Sequence, residues 1–184
     1  MGSFSKVLYR WSSWRSVLAI TLLYGFFLNQ VMAPHAAEMQ RFAGAWGAPD
    51  GHFFYTPTEL YSHISTWDDD GRKHYVRFRL GLDPLWALIY SSFLITLGSV
   101  ALRSATTEDD SRRLLNLVPL IPMSCDLLEN GLGIGLVSAL PMRLNWLAAI
   151  MGATSLVKWT SLAIAHLLLL YSLAIAVRRM AQAR

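Results

Sequence analysis

Apolar residues occur along the chain in four long runs that are separated by more polar stretches. Each run reaches about 20 residues, the length an α-helix needs to cross roughly 30 Å of hydrocarbon. The last two runs are longer, so we expect tilt or protrusion beyond the lipid. The pattern predicts an all-α, polytopic membrane protein in which a four-transmembrane-helix bundle forms a single domain over residues 1–184. The predicted spans cover residues of about 16–33, 82–102, 114–140 and 144–177.

The outer loop between the first two spans, residues of about 34–81, is predicted to be partly helical. Thr56-Pro57-Thr58-Glu59 has the spacing of a capping box and predicts a helix from Pro57 to about Trp67. Residues 75–80 alternate as a strand does, but a lone strand has no partner in this chain, so we expect a second helix there. Asp83-Pro84 is typical of a helix start and is predicted to begin the second span.

Composition and charge fit a protein of the bilayer. Hydrophobic residues make up 54% of the chain and charged residues 15%, with a mean hydropathy of +0.36. Lysines and arginines are concentrated in the two terminal segments and in the connection at residues 103–113. This bias predicts an integral protein, of the plasma (inner) membrane, with both termini cytoplasmic and the outer loop extracytoplasmic. The net charge of +4 then reflects topology, and no nucleic-acid partner is expected.

The first apolar run also resembles a cleavable leader, because a basic start precedes it and small residues follow at 33–37. Its length favours a retained span, since cleavage would leave three spans with the termini on opposite sides.

Polar residues inside the third and fourth runs are the candidate functional site. Asp126, Glu129 and Asn130 lie on one helical face, because Glu129 and Asn130 follow Asp126 by three and four positions. Charged groups at membrane depth are costly and mark functional sites by default. The fourth run supplies Lys158 as their partner.

The short turn at residues 141–143 predicts an antiparallel hairpin that fixes which positions share a depth. Asp126 is then level with Lys158, and Glu129 and Asn130 are predicted to meet Ser155 and Thr154. A polar stripe runs along the fourth helix at Thr154, Ser155, Lys158 and Ser161.

We therefore expect two sets of site residues. Those for acid–base chemistry, if the protein is an enzyme, are Asp126, Glu129 and Lys158. Those predicted to contact a ligand are Asn130, Thr154, Ser155, Ser161 and His166. Pro119 and Pro122 predict a bent third helix whose polar face turns inward.

No metal site and no cofactor are predicted. The triplet Asp68–Asp70 lacks the alternating ligands of a calcium loop, so a solvated turn is the better interpretation. The loop histidines form no HxxH or HExxH pair, and His63 and His74 are the two expected to approach each other. Cys125 is the single cysteine, which excludes an intramolecular disulfide.

Several short motifs together resemble a pattern in small four-span membrane proteins of uncharacterised function, many of them bacterial. The motifs are Tyr55-Thr56-Pro57-Thr58-Glu59-Leu60-Tyr61, Gly71-Arg72, Asp83, Asp126-x-x-Glu129-Asn130 and Lys158-Trp159. The resemblance covers residues of about 50–177 and implies the four-span topology, but it implies no activity. Claudin-type proteins and vitamin K epoxide reductases do not fit, because the chain lacks their paired cysteines.

Three functions remain open from the sequence. The first is an accessory or binding protein whose buried polar site holds a lipid, isoprenoid, quinone or small cationic ligand. The second is an intramembrane acid–base enzyme of the isoprenoid cyclase or isomerase type. The third is a structural subunit of a larger membrane complex. The expected partners are accordingly the bilayer, a hydrophobic small molecule, and a membrane-protein partner or a second copy of the chain.

Overall fold

The computed structural model describes residues 3–182, and all of its regular elements within that range are helical. In chain order the α-helices are α1 (Ser3–Trp11), α2 (Trp14–Phe27), α3 (Ala33–Ala43), α4 (Pro57–Ile64), α5 (Asp69–Leu80), α6 (Leu82–Ala105), α7 (Leu120–Ser138) and α8 (Asn145–Gln182). A π-helical turn, Leu28–Met32, joins α2 to α3, and a 3-10 helix, Ser111–Leu117, precedes α7.

Four helical stretches are long and apolar enough to cross a membrane, which confirms the predicted number of candidate spans. They are Trp14–Trp46, Leu82–Ala105, Ser111–Ser138 and Asn145–Arg179. The protein is therefore an all-helical bundle of the kind found in integral membrane proteins.

The helices α6, α7 and α8 form the centre of the bundle, and α2 packs mainly against α6. Tyr90 and Leu94 of α6 meet Ala165 and Leu169 of α8 in one buried apolar cluster. The first apolar helix continues past Ala33, because the π-helical turn carries it into α3 without a break.

The prolines of the third span do not bend a continuous helix, contrary to the sequence prediction. The chain forms a 3-10 helix to Leu117, turns at Val118, and begins α7 at Leu120. Pro119 is the cap residue of α7, and Pro122 lies in its first turn. Proline is tolerated in that turn because the N–H it lacks would have no helical acceptor.

The connecting segment, defined as residues 44–81, folds over one end of α7 and α8. The capping box predicted at Thr56 and Glu59 is confirmed, although α4 ends at Ile64 rather than near Trp67. The helix preferred for residues 75–80 is also confirmed, as part of α5. Trp67 and Tyr75 of this segment share a buried core with Leu136 and Met151 of the bundle, among other residues. The connecting segment is thus packed onto the bundle rather than solvated around it.

The sequence suggested that Asp83 caps the second span, but the structure shows that it does not. The helix α6 begins at Leu82 with Gly81 as its cap residue, and Asp83 is buried in its first turn. The turn at Gly81 sets α6 directly after α5, so Asp83 remains within reach of α5 side chains.

Candidate functional site

Lys158 of α8 lies between two carboxylates of α7. Its Nζ atom is 3.2 Å from Asp126 Oδ1 and forms a second, shorter ion pair with Glu129 Oε2. All three side chains are buried, and Glu129 is 1% exposed. The ion pair confirms the predicted common depth of Asp126 and Lys158, which follows from the short turn between α7 and α8.

The predicted partners of Glu129 and Asn130 are wrong. Glu129 pairs with Lys158, and the Asn130 side-chain oxygen accepts a hydrogen bond from Arg79. Thr154 donates to Ile150 O of its own helix, and Ser155 donates to the carbonyl of His52. Equal depth therefore does not determine these contacts, because the connecting segment fills the space beside α8.

Arg79 at the end of α5 is the second cation of the site, and the sequence analysis did not identify it. It is 2% exposed, and its Nη1 atom is 2.7 Å from Asp83 Oδ2 and 2.9 Å from Asn130 Oδ1. Its Nη2 atom forms an ion pair with Asp50. The guanidinium also lies 4.9 Å from the centre of the Tyr75 ring. A planar group with several donors can contact several acceptors at once, as Arg79 does here.

A short piece of the connecting segment, residues 49–55, enters the bundle beside these charges. The carbonyl of Asp50 accepts hydrogen bonds from Lys158 Nζ and Trp159 Nε1, each at 3.1 Å. Ser155 Oγ donates to the carbonyl of His52 at 2.7 Å. The backbone of Tyr55 packs so closely on Gly152 that a side-chain carbon there would collide with the Tyr55 carbonyl oxygen. Three α8 side chains and one α8 glycine thus seat this piece of backbone.

Asp50 lies outside the candidate spans, and opposing effects act on the pKa of its carboxyl group. Burial raises its pKa, but the nearby Arg79 and Lys158 charges and the Arg79 hydrogen bond outweigh that effect. The net result is a pKa below the ordinary value of 3.8. Asp50 is therefore an anion at neutral pH, and it is stabilised by the positive charges of Arg79 and Lys158.

The buried polar network, defined as Arg79, Lys158, Asp50, Asp83, Asp126, Glu129 and Asn130, contains more acids than bases. Four carboxyls face two cations, which leaves two negative charges if every group is ionised. Isolated charges in a low-dielectric interior are costly, so this excess favours bound protons or a cation. The network holds one more base and two more acids than the sequence suggested.

A cavity of about 360 Å³, here called the aromatic cavity, lies next to this network. Asp50, Asp83, Asp126 and Lys158 form its polar wall. Rings from three helices form much of the rest, namely Tyr24, Trp86, Tyr90, Phe93 and Trp159. Tyr24 stacks on Phe93 with ring centres 4.9 Å apart, so the wall is packed rather than loose. Sites for small molecules are commonly apolar clefts of roughly 300–1,000 Å³ with a few polar groups, and this cavity has that character.

One hydroxyl of the cavity wall lies beside the acids of the network. Tyr90 is buried, and its hydroxyl is adjacent to Asp126 and Ser91, although no hydrogen bond of regular geometry forms among residues 3–182. Buried hydroxyls are nearly always satisfied by protein, water or ligand. The Tyr90 hydroxyl therefore belongs with Asp126 to the polar wall of the cavity.

The other predicted ligand-contacting residues divide into two groups. His166 lines the aromatic cavity and bonds Leu162 O of its own helix through Nδ1. Ser161 is buried and donates to backbone carbonyls of α8, as Thr154 does. Hydroxyls bonded to their own helix satisfy themselves, so Ser161 and Thr154 have no hydroxyl proton left for a ligand.

Three members of the network lacked a clear sequence signal, each for its own reason. Arg79 and Asp83 lie in consecutive helices, and the sequence predicts a cap role for Asp83 rather than an ion pair with α5. Asp50 lies in a glycine-rich stretch without periodicity. Their common property is that a tertiary contact, and not local pattern, brings them to α7 and α8.

The histidines form a different pair from the expected one. His35 of α3 contacts His74 of α5 with ring nitrogens 3.0 Å apart, while His63 stacks on Trp46. Within residues 3–182, no group of three or more His, Cys, Asp or Glu side chains is arranged to hold a metal ion.

Comparison with known proteins finds no matching family model, no matching curated protein and no matching solved structure.

Proposed function

We propose that this is a membrane-embedded binding protein whose aromatic cavity holds an amphiphilic small molecule with a cationic head. The observation that carries this proposal is the position of surplus carboxylates against a wall of aromatic rings. Asp50, Asp83 and Asp126 reach the cavity, whereas Lys158 is the one basic lining residue apart from His166 in the described part of the chain.

The charge balance supports a cationic head. The buried polar network carries two more acids than bases, and a charge without a partner at membrane depth is costly. A single ammonium group beside Asp126 removes half of that excess and adds charge-assisted hydrogen bonds.

The cavity wall supports the same chemistry. Aromatic faces attract cations, most strongly when the cation is out of water. Trp86 and Tyr90 lie edge to face with centres 5.8 Å apart, and the Tyr90 hydroxyl beside Asp126 offers an oxygen acceptor to an ammonium group. The apolar tail of such a ligand then lies along Phe93 and Leu162.

We further propose the plasma (inner) membrane as the location, with both termini in the cytoplasm. The basic residues near the termini and in the connection before α7 support this orientation. The connecting segment is then extracytoplasmic, and the aromatic cavity opens in the outer half of the membrane.

The test is native mass spectrometry of the full-length protein extracted gently with its lipids, followed by titration with a defined probe. The probe is a tertiary amine on a branched 15-carbon chain, and the matching alcohol is its uncharged control. We expect the amine to bind at least tenfold more tightly than the alcohol, and Asp126→Asn to abolish that preference. The matched control is Asp70→Asn, because Asp70 is exposed and does not line the cavity.

Equal binding of amine and alcohol would overturn the cationic head. Stoichiometric protein partners, with no small molecule bound, would instead make the chain a subunit of a complex and the buried polar network a device of assembly.

An intramembrane acid–base enzyme is the second candidate, and the surplus of acids favours it. A protonated carboxyl beside an apolar cavity can give its proton to a carbon–carbon double bond, and aromatic rings stabilise the resulting carbocation. Loss of a proton from the neighbouring carbon to a carboxylate completes an isomerisation with no net change in charge.

This candidate is tested with geranylgeraniol in deuterated water. An enzyme incorporates deuterium into the carbon skeleton, and Asp126→Asn or Glu129→Gln stops incorporation while the protein stays folded. Absence of incorporation with the amine still bound supports the binding protein.

A further inference from the structure

A second cavity lies at the other end of the bundle, where α1 meets the end of α6 and the 3-10 helix before α7. We call it the basic groove, and its volume is about 580 Å³. Four cations line it, together with Tyr9 and two acids; the charged residues are Lys6, Arg10, Arg103, Arg113, Glu108 and Asp109. The lining therefore has two more bases than acids.

Hydrogen bonds and cation–π contacts hold the lining residues of the basic groove in place. Two guanidinium groups lie over the ring of Tyr9, with the Arg103 and Arg113 carbons 5.7 and 5.3 Å from its centre. Tyr9 Oη donates to the carbonyl of Arg113 at 3.1 Å, and Arg103 donates to the carbonyl of Tyr9. Ser5 Oγ donates to Asn116 Oδ1 at 2.9 Å and holds the other end of α1.

The positive charge of Arg113 is buried and has no carboxylate partner. Arg113 is 8% exposed, and its side chain donates to the hydroxyl and carbonyl of Thr106 at 3.2 and 3.1 Å. Within residues 3–182, none of the four groove cations forms an ion pair with a carboxylate within 4.0 Å. Neutral acceptors orient the guanidinium but do not cancel its charge, so an anion in the groove is favoured.

The helix α1 places this groove at the level of lipid headgroups. Its Phe4, Val7 and Trp11 are exposed along one face, whereas Ser5 and Tyr9 face the bundle. An amphipathic helix with an apolar outer face and lysine or arginine beside it lies in the membrane interface. Trp14 continues the exposed apolar face at the start of α2.

We infer that the basic groove binds the phosphate of an anionic phospholipid headgroup, with α1 lying in the interface of the same leaflet. The buried guanidinium of Arg113 and the exposed cations of Lys6 and Arg10 surround the phosphate, and the lipid tails follow the apolar face of α1. This site lies at the opposite end of the bundle from the buried polar network, and it does not depend on the proposed function.

The experiment measures lipid retention by native mass spectrometry of the full-length protein in detergent. Phosphatidylglycerol and phosphatidylcholine are added at equal concentration, and inorganic phosphate is the competitor. We expect wild-type protein to retain phosphatidylglycerol preferentially. The double variant Lys6→Gln/Arg10→Gln should bind it about 25-fold more weakly, because each interfacial cation contributes about fivefold.

The matched control is Arg112→Gln. Arg112 is exposed, pairs with Asp110 at 2.6 Å and does not line the groove, so this variant should retain lipid as wild type does. Arg113→Gln tests the buried cation, and its thermal melting shows whether it folds. If Arg113→Gln does not fold, the test rests on the double variant Lys6→Gln/Arg10→Gln, whose substituted residues are exposed.

Three results would overturn the inference. They are equal retention of the two lipids by wild-type protein, an equal loss in Arg112→Gln and in the double variant, and displacement of phosphatidylglycerol by an equal concentration of inorganic phosphate. The last result would show that the groove takes a free phosphate rather than a lipid headgroup.

Discussion

The buried polar network and the basic groove differ in the sign of the charge that each leaves unbalanced. In the network, two cations are set among four carboxyls, and each cation has at least two acidic partners. In the groove, four cations outnumber two acids, and Arg113 is bonded to uncharged acceptors.

This difference separates two ways of burying charge. Ion pairs cancel most of the charge inside the protein, so the network is stabilised largely by its own residues. Neutral hydrogen bonds fix the direction of a guanidinium and leave its charge in place. The network is therefore expected to dominate stability, and the groove is expected to respond to the surroundings.

Lys158→Met should have the largest effect, because it breaks the network where two acids share one cation. Asp126 and Glu129 would stay buried without that cation, and removing one partner of a buried pair costs about 3–5 kcal/mol. Thermal melting of the detergent-solubilised protein measures the loss. The triple variant Lys158→Met/Asp126→Asn/Glu129→Gln should recover part of it, and unchanged melting of the single variant would contradict the network's role in stability.

Asp50→Asn tests the outer part of the network through pH. The pKa of Asp50 is lowered in the folded protein, so its ionised form stabilises the fold above the unfolded value near 3.8. That contribution is lost as the pH falls below about 4 and through the folded pKa. Arg79 of α5 and Lys158 of α8 are the charges that face it.

Wild type should therefore exceed Asp50→Asn in stability by about 1.5–3 kcal/mol at pH 7, the range for hydrogen bonds to charged groups. The difference should shrink in melts at pH 3. A difference that grows towards acid would have the wrong sign.

Gly152→Ala should destabilise the protein by about 1–3 kcal/mol, because the new methyl group meets the Tyr55 carbonyl oxygen. The Tyr55 carbonyl belongs to the backbone and cannot rotate away as a side chain could. Residues 49–55 must therefore shift, and the hydrogen bond from Lys158 to the Asp50 carbonyl must break. Gly133→Ala should also be destabilising, because the added carbon meets the hydroxyl oxygen of Tyr75, whose rigid ring is fully buried. Gly131→Ala is the control, with open space around the added carbon, and should be neutral or up to about 1 kcal/mol stabilising. Denaturant titration of the three variants gives the order, and equal effects would contradict the close seating of this segment.

Raising the salt concentration should produce the smallest effect, and only ligand binding in the basic groove should respond to it. Lys6 and Arg10 are exposed, and charges in water are screened when the Debye length shrinks from about 10 Å at 0.1 M to about 3 Å at 1 M. Retention of phosphatidylglycerol should fall several-fold over that range, while binding of the amine probe in the aromatic cavity stays constant. Parallel salt dependence in both cavities would remove the distinction between them.

Much of the fold could be predicted from the sequence because lipid imposes simple rules. Apolar runs identify the four candidate spans, and the short connection between α7 and α8, residues 139–144 in the structure, fixes the depth of Asp126 against Lys158. Capping chemistry identifies α4, since Thr56 and Glu59 act on neighbouring backbone. These predictions depend on residues close in sequence or joined by one short turn.

The candidate site is harder to predict from the sequence, because part of it comes from the connecting segment. Nothing local shows that Asp50 reaches α8, or that Asp83 turns towards Arg79 instead of capping its helix. The predicted bend at the prolines of the third span is wrong for a related reason. Their effect depends on where the helix begins, and a 3-10 helix with a turn at Val118 places that start at Leu120.

The position of Lys158 so late in the chain has a consequence for biogenesis. During synthesis, α7 and its two acids leave the ribosome before α8, so Asp126 and Glu129 enter the translocon without their cation. A nascent chain in this condition is unfavourable in lipid and is expected to stay beside the translocon or a membrane chaperone until α8 arrives. Truncation before residue 158 should thus give a product that is degraded faster than the full-length chain.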